Sequence, residues 1–338
     1  MAEGPGGRRT LGRRALLQIG GAAAVGGAAI GLAELLDDGE AAQEANVFIG
    51  AAQTYDADLS DLILRGLDAL GVGGHELRGA RVLLKPNLVE TAREAPHINT
   101  HPAVVVAVAE ALRALGAQEV FVAEGQGHRR DGWLVLEESG MSTALADAGL
   151  RFVDLNHDEV VRVSNAGGTS SLGALWLPRT VLEADWVVTL PKVKTHHWAG
   201  VTCAMKNLFG VMPGVVYGWP KNPLHHAGIA QSILDINATV GPRLAIADGI
   251  VGMEGDGPIM GRAKPLGCLV MGTNPAAVDA TCARLMGLDP TRVSYLRGAS
   301  GWLGPILEEH VEQRGERIDA LRTTFEVLDL PHLAGLAG

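Results

Sequence analysis

An α/β protein with a largely parallel or mixed sheet, helices on both faces, is predicted from three features of the sequence. Short apolar runs closed by Pro, Gly or polar residues alternate with stretches of helical period. The composition, 47% hydrophobic and 20% charged with 45 glycines, is that of a globular chain with many tight turns. No internal repeat or low-complexity tract appears beyond the N-terminus.

In chain order, "NVFIGAA" (46–52) reads as the first strand. Leu62, Leu64, Leu67 and Leu70 give the next segment a helical stripe. "RVLLKPN" (81–87) is a strand running into a loop. "HPAVVVAVAEALRALGA" (101–117) has Pro in its first turn and Gly116 near its end, as helices do. Strand 119–125, a helix over 133–148, a strand at 151–155 and a β-rich patch over 159–177 follow. Then come strand 186–191, a loop, a helix near 200–209 and another near 225–239. Strands 243–248 and 268–272 and a helix over 275–287 complete the pattern. In such sheets ligands sit beyond the C-terminal strand ends.

The 338 residues carry a formal net charge of −10, with no basic run after the first fourteen residues. Nucleic acid is therefore not an expected partner. Cys203, Cys268 and Cys282 are far apart and form no C-x-x-C pair, so no iron–sulfur cluster is expected within the chain. At the N-terminus, Arg13-Arg14 precede an Ala/Gly-rich apolar stretch of roughly twenty residues. This resembles a twin-arginine export signal, which implies the twin-arginine machinery as a partner and a periplasmic or cell-envelope location. No clear A-x-A cleavage site precedes Asn46, so an uncleaved membrane anchor is the alternative. Residues 1–45 are read as signal or anchor plus linker, and 46–338 as the α/β domain.

Polar residues collect at four strand ends: Lys85 and Asn87, Glu124, the stretch "LPKVKTHHWAGVTCAMKNLFG" (190–210), and "DGIVGMEGDGP" (248–258). In the third, a loop with Lys192, Lys194, Thr195 and His196 leads to a helix whose N-terminal N–H groups favour an anion. Lys206 lies four residues after Thr202 and points back toward that loop. In the fourth, glycines let Asp248, Glu254 and Asp256 approach one another, as a hard cation requires. The alternative is ordinary turn chemistry. His196 and His225 are candidate ligands for a divalent metal, and Asp279 and Glu124 either join the acids or act structurally.

Together, "LLKPN", "VAEG", "PKVKTH", "GVTCAMKNLFG", "LHHAGI", "DGIVGMEGDGP" and "NPAAVDA" resemble the domain of unknown function 362 (DUF362) family over about residues 80–290. Members often look like exported twin-arginine proteins, and some carry a ferredoxin-like cysteine segment that this chain lacks. The matching motif positions include those above together with Asn207 and Asn274.

The expected site binds a small anionic molecule, a carboxylate or a phosphate. Lys85, Asn87, Lys192, Thr195, Thr202, Lys206, Asn207 and Asn274 would contact it. Lys194 or His196 would exchange protons. A divalent metal would sit among His196, His225, Asp248, Glu254, Asp256, Asp279 and Glu124. Two alternatives stay open: a non-catalytic anion- or metal-binding protein, and an accessory to a redox partner protein that supplies an iron–sulfur cluster.

Overall fold

The computed structural model describes residues 43–127 and 131–337. The twin-arginine motif and the apolar stretch after it lie outside those residues. Among the described residues thirteen strands are formed: β1 (Ala45–Ala51), β2 (Arg81–Pro86), β3 (Glu119–Glu124), β4 (Phe152–Asp154), β5 (Val160–Ser164), β6 (Ala174–Pro178), β7 (Trp186–Leu190), β8 (Lys192–His196), β9 (Gly200–Thr202), β10 (Leu244–Glu254), β11 (Arg262–Pro265), β12 (Cys268–Gly272) and β13 (Val311–Gly315). The main helices are α1 (Leu59–Ala69), α2 (Pro102–Ala114), α3 (Ile229–Val240) and α4 (Pro275–Leu285).

Eleven strands make one mixed sheet with the path β13-β1-β12-β10-β7-β2-β3-β4. From β10 to β4 the neighbours are parallel, whereas β12 runs antiparallel to both β1 and β10. Strand β8 hangs from β10, β9 from β8 and β11 from β10. The β5–β6 hairpin stands apart.

Both faces of the sheet are buried, and alternation along the strands distributes the core. Val82 and Leu84 join the cluster built with α1 and α2 residues such as Leu62, Val104 and Leu112. Leu83 between them packs with Phe121 and Leu208 on the other face. In β10, Leu244 and Ile246 join the α1–α2 side, while Ala245 and Ala247 face the cluster that contains Val278 and Leu285 of α4.

Four expectations change. The segment 192–196 is a strand, not a loop, because β10 continues through Asp248 to Glu254 and a bulge between Asp248 and Met253 lets it pair with β8. The glycines read as loop formers have a packing role instead. A Cβ at Gly249 would approach the Cys268 carbonyl to 3.0 Å, and one at Gly252 the Val193 carbonyl to 2.9 Å. The helix expected near 200–209 is β9, a four-residue helix Ala204–Asn207 and a 3₁₀ turn Leu208–Val211. The helices expected over 133–148 and 225–239 are each divided in two, at Gly140 (φ 78°) and Gly228 (φ 99°).

Asp235 of α3 fastens the β5–β6 connection. It accepts hydrogen bonds from Asn165 Nδ2 (2.6 Å), Thr169 N and Oγ1 (2.7 and 2.8 Å) and Ser170 N and Oγ (3.0 and 2.5 Å). Burial raises the carboxyl's pKa, but these donors outweigh it and hold the group below the ordinary Asp value. Asp235→Ala should cost about 3 kcal/mol in urea unfolding near neutral pH. The wild-type advantage should shrink as pH falls through the carboxylate range, because a depressed acid loses its stabilisation on protonation.

Candidate functional site

The C-terminal ends of β2, β3 and β7 meet beside Asp248 of β10, where the α/β rule places ligands, and lysines fill the place where they meet. Lys85, Lys192, Lys194 and Lys221 are 1%, 0%, 0% and 2% exposed. Lys206 is partly exposed beside them. The whole sequence holds six lysines among its 28 basic residues, and five are these. The sixth, Lys264, lies on β11 near Glu254 at 3.6 Å.

Local structure explains how they converge. Side chains two apart on a strand share a face, so β8 presents Lys192, Lys194 and His196 together while Val193 enters the core opposite. Lys85 is the fifth residue of β2, and its ammonium bridges to Glu124 at the end of β3 (2.7 Å) and to Asn207 Oδ1 (3.1 Å). Asn207 Nδ2 returns to Lys85 O (3.0 Å) and Thr189 Oγ1 (3.0 Å). Gly210 packs on this pair: a Cβ there would overlap both the Glu124 carboxylate and the Lys85 ammonium.

Lys192 donates to Asp248 Oδ2 (2.5 Å) and to Tyr55 OH (2.9 Å), and that hydroxyl donates to Asp248 Oδ1 (3.0 Å). His101 stacks on Tyr55 with centroids 3.7 Å apart, and its backbone N–H donates to Asp248 Oδ2 at 3.0 Å.

The remaining lysines have no carboxylate. Among the described residues, Glu124 and Asp248 are the only acids ion-paired to the five. Lys194 makes one hydrogen bond, to Pro258 O (3.1 Å). Lys221, in a left-handed backbone conformation (φ 67°), donates to the carbonyls of Gly125 (2.5 Å) and Phe209 (3.0 Å). Lys206 has no hydrogen bond or ion pair among the described residues; its ammonium lies 5.7 Å from the Phe209 ring.

Burial therefore dominates their titration. It brings Lys206 down to about 8, with Lys85 adding repulsion, and Lys221 to about 7. It pushes Lys194 well below the lysine range, reinforced by Lys192 and Lys206.

The histidines respond in the same way. His196 Nδ1 accepts the N–H groups of Trp198 (3.0 Å) and Ala199 (3.2 Å), so its proton sits on Nε2. Burial, with Lys206 next, holds it neutral. His225 has the other tautomer, since Nδ1 donates to Lys221 O (3.1 Å). Buried Asn87 Oδ1, His97 Nδ1 and Thr202 Oγ1 have no hydrogen-bond partner among the described residues. Thr202 lies opposite Lys194 in the β8–β9 register.

The seven residues expected to hold a metal are not brought together. Asp248 and Glu124 are occupied by lysines. Glu254 faces Arg262 and Lys264, both 3.6 Å away, and accepts Glu326 N at 3.0 Å. Asp256 is exposed and meets His197 at 3.2 Å. Asp279 accepts Ala204 N (2.6 Å), Met205 N (3.1 Å) and Tyr295 OH (3.0 Å). The short helix that was to bind an anion thus spends its first N–H groups on Asp279.

His196 Nε2 carries its proton and offers no lone pair. Among the described residues no group of three or more His, Cys, Asp or Glu has metal-binding geometry. Asn274 caps α4 through Ala277 N (3.0 Å), and Thr195 bonds Gly255 O (2.9 Å); both act in the fold.

Sequence reading missed Lys221, Tyr55, His97 and His101. The scarcity of lysine was the available signal for Lys221.

The geometry defines an α/β protein with a buried, lysine-rich polar centre at its strand ends. Residues 82–284 match the family described as Domain of unknown function (DUF362), and the chain belongs to that family. It is 30% identical over 248 residues to the thylakoid-associated protein sll1697 of Synechocystis sp., an alignment covering 72% of this chain and 74% of that protein. Among solved structures it is similar to the lactate racemase apoprotein of Thermoanaerobacterium thermosaccharolyticum, with a TM-score of 0.39 and 13% identity. That similarity covers 63% of this chain and about half, 51%, of the other.

The pKa shifts set a sign for stability. Lys206 and Lys221 titrate lower in the folded chain than in the unfolded one, where lysine has its ordinary value of 10.5. The unfolded chain then holds more protons between about pH 7 and about pH 10, so ligand-free stability should rise with pH across that window, by about 3 kcal/mol at most from Lys206. Urea unfolding in a buffer with weakly binding anions measures this. Lys206→Met should flatten part of the slope.

Proposed function

We propose that this chain binds a small, multiply charged anion, a carboxylate or a phosphate, within the lysine cluster. One observation carries the reading: five lysines converge while two carboxylates pair with them. An uncompensated buried ammonium costs several kcal/mol, which a bound anion offsets. Lys194, Lys206 and Thr202 would contact the anion directly. Lys85, Asn207 and Lys192, locked in their own pairs, would shape the floor. His196 would add its Nε2–H as a donor. The relevant chemistry is charge stabilisation with proton exchange at Lys206 or Lys194.

Oxalate and inorganic phosphate are the first probes. Either should raise the melting temperature and bind in calorimetry, more weakly as salt rises and as pH passes the lysine values. Lys194→Met should abolish that shift while stabilising the ligand-free protein by about 1–4 kcal/mol, because an apolar side chain replaces a buried amine that has no carboxylate partner. If no di- or trivalent anion stabilises the wild type, or if Lys194→Met destabilises the free protein and leaves anion binding intact, the reading fails.

The proposal extends to location. Arg13-Arg14 with the apolar stretch behind them, and the thylakoid-associated relative, support export to the cell envelope. Replacing both arginines by lysine should leave the protein in the cytoplasm on fractionation of its host.

A further inference from the structure

We propose that Lys206 is a covalent nucleophile, which forms an imine with a small anion that carries an aldehyde or ketone group. This rests on the anion-binding reading above and names the class of ligand.

The five lysines are not equivalent. Lys85 and Lys192 are held in ion pairs, and Lys194 and Lys221 donate to backbone carbonyls. Lys206 alone among them makes no hydrogen bond or ion pair to any described residue, and it alone is partly exposed. An amine without a partner keeps its lone pair free to attack, and exposure lets a ligand reach it.

Burial among other cations is a recognised way to make lysine nucleophilic near neutral pH. At about 8, Lys206 has a substantial free-amine fraction there. Lysine in place of arginine is itself informative. Of the chain's 28 basic residues 22 are arginines, and a guanidinium cannot lose its proton to become a nucleophile.

The surroundings suit the step. The ammonium lies over Phe209, whose ring is 5.8 Å from His225, and His225 is 5.6 Å from the exposed Trp198. These rings make an apolar wall that limits hydrolysis of an imine. His196, within electrostatic reach of Lys206, presents Nε2–H to an oxygen that gains charge. In the reaction, the Lys206 nitrogen lone pair forms the new C–N bond and the carbonyl π pair moves onto oxygen. Two protons then pass from nitrogen to that oxygen, which leaves as water as the C=N bond closes. No oxidant or reductant is needed.

The experiment uses the full chain with sodium cyanoborohydride and either pyruvate, the carboxylate arm, or glycolaldehyde phosphate, the phosphate arm. Peptide mapping by mass spectrometry locates the reduced adduct, and only six lysines compete. At least one arm should label Lys206 about tenfold or more above Lys264, following its lower pKa. The same arm should be blocked by excess oxalate, and Lys206→Arg, which keeps the positive charge but cannot form an imine, should lose the adduct. The arm that labels identifies the anion class. If oxalate stabilises the protein but neither arm labels Lys206, or if the label falls on Lys264, another lysine or the N-terminal amine, the imine is excluded and anion binding stands. If oxalate neither binds nor blocks, and no label forms, both readings fall together.

Discussion

Ammonium groups withdrawn from water lose hydration that a carbonyl or an aromatic ring only partly replaces, and five of them in one place also repel one another. That imbalance organises the centre of this protein. Two lysines are neutralised by Glu124 and Asp248. The others shed the penalty by binding their protons less tightly, and His196 and His225 follow them toward the neutral form. The rest of the fold holds side chains where, left to themselves, they would separate.

The scaffold that does so is apolar and redundant. Strand β2 is buried on both faces, and β8 is paired to the doubly buried β10, so the backbone under Lys85, Lys192 and Lys194 cannot move without disturbing the cores around it. Asp279 and Tyr295 anchor the turn that carries Lys206, and Asn207 clamps that turn to the β2 backbone. The acids in this region thus divide between countering charge and fastening backbone.

Much of this was legible in advance. Lys85, Glu124, Lys192, Lys194 and Asp248 were expected at or just beyond strand ends; Lys85 and Glu124 are there, because an apolar run that stops at a charge marks where a strand leaves the core, whereas Lys192 and Lys194 belong to β8 and Asp248 lies inside β10. The four-residue helix and the extended β8 were not foreseen. Their local sequences fit a loop followed by a helix equally well, and pairing with a bulged β10 decided otherwise. Glycines at 249 and 252 looked like turn residues, yet they serve close approach of neighbouring backbones, which no local pattern reveals. The acidic loop at 248–258 suggested convergence, whereas its first member sits inside a strand and its last faces solvent.

By itself the sequence determined the alternation of strands and helices, the burial of the apolar faces and the residue types at the strand ends, since these follow from periodicity and composition along the chain. Tertiary structure decided the partners. Whether a lysine meets a carboxylate, a carbonyl or nothing depends on segments more than a hundred residues apart in some cases, as Lys85 and Asn207 are. Hydration and Coulomb energies vary steeply over a few ångströms, so that choice separates a locked ion pair from a reactive amine.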